Sequence, residues 1–66
     1  MNGWINAEKQ LPTNGETVAI AISLGEDVYL RTGWHRDSGE WFQSGLGIIE
    51  GKVIYWMHLP ELPKEG

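Results

Sequence analysis

The sequence predicts a mainly β protein: a small antiparallel sheet of three to four strands, with a short N-terminal helical turn and an extended, proline-containing C-terminal tail. Three observations carry this. Thr17 to Leu24 alternates large apolar residues with small ones at a strict period of two. Glycine-bearing turns at Gly25-Glu26-Asp27 and Arg36-Asp37-Ser38-Gly39 separate that run from further short β-like runs. At the far end, Pro60 and Pro63 lack the N–H donor that a central strand requires, so that segment is extended but unpaired.

Taken in order, Trp4-Ile5 begins the ordered region. Asn6 is a suitable helix N-cap for one turn over Ala7-Glu8-Lys9-Gln10. Pro12 ends that turn by pushing Leu11 towards extended geometry. Thr13-Asn14-Gly15-Glu16 is a turn. In the strand Thr17 to Leu24, the residues Val18, Ile20, Ile22 and Leu24 should face the core, leaving Ala19, Ala21 and Ser23 on a face that something can approach closely. Gly25-Glu26-Asp27 is a three-residue hairpin loop. The next strand runs from Val28 to His35, with Tyr29, Arg31, Gly33 and His35 opposite Val28, Leu30, Thr32 and Trp34.

A short strand follows from Glu40 to Gln43. Its register has two solutions. A bulge at Gly39 pairs Trp34 with Phe42, whereas a tight two-residue turn pairs Trp34 with Trp41, and the slip swaps which aromatic is buried. Ser44-Gly45-Leu46-Gly47 is a flexible loop. Lys52 to Met57 is the last strand, with Val53, Tyr55 and Met57 opposite Ile54 and Trp56.

The 66 residues allow one domain, spanning 1–66. A domain of about 60 residues buries only about 60% of its unfolded surface. Cysteine is absent, which rules out disulfides and thiolate metal sites. Self-association is the remaining common way to supplement so small a core, so a homo-oligomer is expected. The nine acidic residues outnumber the five basic ones, for a net charge of −4. That argues against direct binding of nucleic acid, which needs clustered positive charge. It permits a partner with a basic surface. The Val18–Leu24 run is too short to cross a membrane, and Met1-Asn2-Gly3-Trp4 is not a signal peptide, so the expected location is the cytoplasm.

No residue set assembles catalytic chemistry in sequence. His35, Asp37 and Ser38 are adjacent on a turn, where Asp and Ser are ordinary. His35 and His58 lack the further ligands a metal needs, so no cofactor is expected. The chain therefore reads as a non-enzymatic binding protein. Its candidate binding residues are Tyr29, Arg31, His35 and Trp41 on the sheet, with Glu26 and Asp27 at the first hairpin tip. Arg31 offers a planar fork to a carboxylate or phosphate beside the aromatic Tyr29, which suits a protein loop or a small nucleotide. Pro60-Glu61-Leu62-Pro63 matches the Pro-x-x-Pro pattern of peptides that dock in aromatic grooves, although a tail packed on its own domain is the simpler reading.

The two ends carry a family resemblance. Trp4-Ile5, Leu11-Pro12, Gly15 and Val18 match a W-I-x(5)-L-P-x-x-G-x-x-V opening, and Trp56-Met57-His58-Leu59-Pro60-Glu61-Leu62-Pro63 is similar to a W-M-P-L-P-E-P-P ending. In this the chain resembles the family called domain of unknown function 551. Tyr55 and His58 depart from it, standing where the family often has His and Pro. The resemblance implies a small protein of phages and prophages, working in an infected or lysogenic bacterium. It implies packing of Trp4, Leu11, Pro12, Trp56, Leu59 and Pro60 where the two ends meet. Three functions follow as expectations: an accessory protein that binds and inhibits a host defence or regulatory protein, a binder that sequesters a nucleotide signal, or a structural phage component.

Overall fold

Val18, Ile20 and Ile22 have no exposed surface at all, as their alternation requires, and the rest of the fold is organised around them. The computed structural model describes residues 3–60. Within them lie six strands: β1 (Ile5–Asn6), β2 (Val18–Leu24), β3 (Asp27–His35), β4 (Trp41–Gln43), β5 (Gly47–Ile48) and β6 (Lys52–His58). They form one antiparallel sheet in the order β1-β6-β2-β3-β4-β5.

The sheet is thus larger than the three to four strands the sequence predicts. The two additions, β1 and β5, have two residues each, too few to show a period. The helical turn is also corrected, since no helix occurs among the described residues. The Asn6 carboxamide does accept the Glu8 N–H at 2.8 Å, and the Gln10 N–H reaches the Asn6 carbonyl at 3.1 Å. The ring closes once and stops, because Leu11-Pro12 cannot extend it.

The turns show where glycine decides the register. Leu24 pairs with Asp27, so the first loop has two residues, Gly25 and Glu26, not three. Gly25 sits at φ 63°, as the first position of a tight hairpin turn demands. At the second hairpin Gly39 takes φ 100°, while Arg36 N–H donates to the Glu40 carbonyl at 2.9 Å. This is the bulged solution, and it pairs Trp34 with Phe42 and His35 with Trp41. The loop after β4 is a tight turn that returns the chain as β5.

Connectivity explains why only one face of the sheet is covered. The link from β1 to β2 must pass β6, and the link from β5 to β6 is only residues 49–51 although the two strands stand four places apart, so the sheet curls to bring them together. Both run over the Val18/Ile20/Ile22 face. In the first link Ala7 packs on the core, Pro12 is buried, the Gln10 carbonyl accepts the Trp56 indole N–H at 2.9 Å, and the Gly15 N–H reaches the His35 carbonyl at 2.9 Å. In the second, Ile49 is buried and Gly51 lies against Ile22 and Ser23. The core cluster is Val18, Ile20, Ile22, Ile49, Val53 and Trp56.

Val53 and Trp56 both reach it because a bulge interrupts β6. The pairing steps from Ala21–Tyr55 to Ile22–Val53, leaving Ile54 as the extra residue. The simple alternation expected along this strand is therefore broken in its middle. Of the residues expected to join the ends, Trp56 and Pro12 are buried and Trp4 is half-buried, whereas Leu11, Leu59 and Pro60 are exposed. Leu24, expected in the core, emerges at the hairpin end with 45% exposure. Most of the proline-rich tail, including three of the four residues of its Pro-x-x-Pro pattern, lies outside the described residues.

Candidate functional site

Cross-strand partners point to the same side of a sheet, so the register assigns every side chain to a face. Arg31 lies opposite Ile20, Tyr29 opposite Ile22, and Gly33 opposite Val18. The Tyr29/Arg31/His35 row therefore belongs to the covered, inner face and not to a free surface. Tyr29 is half-buried against the core. Arg31 escapes at the side: its guanidinium lies 4.7 Å over the Tyr29 ring and donates to the Leu30 carbonyl at 2.7 Å, leaving it exposed. Such an exposed cation–π contact is worth about 0.5–1 kcal/mol.

His35 is buried, which corrects its expected surface role. Its ring meets Trp41 edge-on at 4.8 Å, and Trp41 itself packs half-buried against the core. Glu26 and Asp27 are exposed at the hairpin tip, although Asp27 opens β3 instead of completing the loop. The six candidate residues thus separate into a charged tip, a Tyr29–Arg31 pair and an internal His35–Trp41 pair. His58 is on the surface and meets Glu16 at 3.0 Å.

The other face carries a cluster that the sequence reading did not assemble. Trp34 and Phe42 lie side by side across β3 and β4, with ring centroids 5.9 Å apart and planes within 9°. Both are half-exposed. They form the floor of a shallow basin of about 480 Å³ whose other walls are Asn14, Arg36, Asp37 and Ser38. The Asp37 N–H donates to the Asn14 side chain at 2.7 Å, which ties the hairpin loop to the first link. Ile48, paired with Phe42, adds a 56% exposed aliphatic side chain beside it. The signal for this corner was in the sequence: the Gly39 bulge pairs Trp34 with Phe42. What was missing was the side of the sheet that the links would cover.

Comparison with protein-family models, with curated proteins and with solved structures gives no match to the chain.

His35 points inward, while Asp37 and Ser38 border the outer basin, so this turn does not align the three as nucleophile, base and orienter. Among the described residues no group of three His, Cys, Asp or Glu is placed to hold a metal ion. No helix among them is long and apolar enough to cross a membrane. What the basin offers is two large aromatic surfaces, one cation, one anion and small hydrogen-bonding groups at an accessible rim.

Proposed function

We propose that the chain is a non-enzymatic binding protein, a phage-type accessory factor that docks on a bacterial defence or regulatory protein and blocks it. The observation that supports this reading is the Trp34–Phe42 corner. Binding energy in protein interfaces concentrates in aromatic anchors surrounded by a polar rim, and this corner has that composition. The acidic balance of the chain and the exposed Asp37 and Glu40 near the basin favour a partner with a basic surface.

The test compares immobilised wild-type chain with Trp34→Ala and with an Asp37→Lys/Glu40→Lys pair as baits for host lysate. A host protein retained by wild type should be lost with Trp34→Ala and weakened by charge reversal. Retention should fall as salt rises, because exposed charges are screened beyond about 8–10 Å near physiological ionic strength. Inhibition of that protein should be complete near one equivalent of chain. Equal retention by all three baits, or inactivation by trace amounts, overturns the reading.

A second reading is sequestration of a small nucleotide. It is favoured by the exposed Arg31 guanidinium 4.7 Å over the Tyr29 ring, a pair suited to a phosphate and a base. Native mass spectrometry of chain purified from an infected host should then show a bound nucleotide that Arg31→Ala abolishes.

A further inference from the structure

An antiparallel sheet can leave one face in water, but that face is then ordinarily polar. Here it is not. The register places Asn6, Ala19, Ala21, Ser23, Val28, Leu30, Thr32, Trp34, Phe42, Ile48, Lys52, Tyr55 and Met57 on the side away from the two links. Val28 and Leu30 are 59% and 60% exposed, and Tyr55 is 39% exposed. Between Leu30 and Tyr55, Ala21 is buried at the bottom of a trough, although it takes no part in the core on the other side.

We propose that this bare face packs against the same face of a second copy, making a two-sheet sandwich with two-fold symmetry. Charge selects the occupant. Among the described residues, Lys52 is the only charged side chain that the strands direct to this face, and it is paired with Glu8 at 3.2 Å. Glu8 balances Lys52, so in a chain of net charge −4 this face carries no net charge and meets its own copy without repulsion. Away from the Trp34–Phe42 corner, a basic protein or a nucleic acid finds no unpaired complementary charge there.

Area agrees. Each strand residue covers roughly 16 Å² of a face in projection, so these strands present roughly 500 Å², and side-chain relief raises the accessible area towards the roughly 800 Å² per partner of a stable interface. Shape agrees too, because the Ala19/Ala21 trough flanked by Leu30, Tyr55 and Met57 can receive the partner's ridge at the roughly 10 Å spacing of packed sheets. The terminal strands Ile5–Asn6 and Gly47–Ile48 are only two residues long, and the longer open edge is the Asp27–Arg31 stretch of β3, which pairs with β4 only from Gly33 onward.

Light scattering after size exclusion, from about one to one hundred micromolar, tests this. Wild-type chain should have twice the 7.4 kDa mass of one chain. Its melting temperature should rise with concentration, as it does when association stabilises the fold. Leu30→Lys should run at the mass of one chain while keeping its β circular dichroism, and Val28→Lys serves equally if that variant does not fold. Leu46→Lys, at a still more exposed leucine outside the strands, should remain paired. A wild-type mass other than two chains, or a pair that survives both β3 substitutions, overturns the proposal. Leu30→Lys leaves Trp34 in place, so loss of the pair and loss of a captured partner are read on different variants.

Discussion

At the residue scale, Trp56 ties the sheet to the link that covers it. It is 1% exposed, belongs to the core cluster, and donates its indole N–H to the Gln10 carbonyl of the covering link. Trp56→Ala would leave a cavity and an unanswered carbonyl, at a cost of about 3–5 kcal/mol. A domain of this size has little more than that in total. Urea titration followed by circular dichroism should find the variant largely unfolded without denaturant, and a midpoint near that of wild type would show that the ring is not structural. Burial of this tryptophan was legible from the sequence, since large aromatics are mostly inside. The inward turn of His35 was not: period two divides β3 into two faces but does not say which one the distant links will cover.

At the element scale, two glycines separate backbone from packing. Gly39 takes φ 100° with open space around it, so Gly39→Ala costs the strain of a left-handed residue, about 1–2 kcal/mol. Gly51 has no such φ. A Cβ there would meet Ile22 Cγ2 and the Ser23 carbonyl, both at 2.7 Å. Gly51→Ala should therefore cost about 1–3 kcal/mol by pushing the second link off β2. Proton chemical shifts of the two variants should distinguish them: perturbation confined to the hairpin loop for Gly39→Ala, but reaching the Ile22 methyls for Gly51→Ala. Quiet Ile22 methyls in the latter would refute the close approach. The sequence displayed β2 and β3 through alternation and the second hairpin through Gly39. It concealed β1 and β5, which are too short to have a pattern, and it concealed the Ile54 bulge, because an extra residue in β6 is visible only against the strand it pairs with.

At the scale of the whole molecule, the sheet divides into a local part and a long-range part. β2 to β5 form a meander joined by short turns, whereas β6 returns across the molecule to the other side of β2 and, among the described residues, is the one strand paired with β1. Removing β6 removes two strands from the sheet and Val53 and Trp56 from the core. A chain ending at Gly51 should show no cooperative thermal transition, and a sharp calorimetric peak from it would mean that the meander folds alone.

This gives assembly an order in time. The hairpins can close as soon as their own residues are available, because their partners are neighbours along the chain. One flank of β2 then waits with its N–H and C=O groups unanswered until residues 52–58 arrive from the distant end. Contacts of such separation are slow to make, since the loop between them must first be brought to order. The interval before β6 docks is when that flank of β2 is open to pairing with the wrong strand.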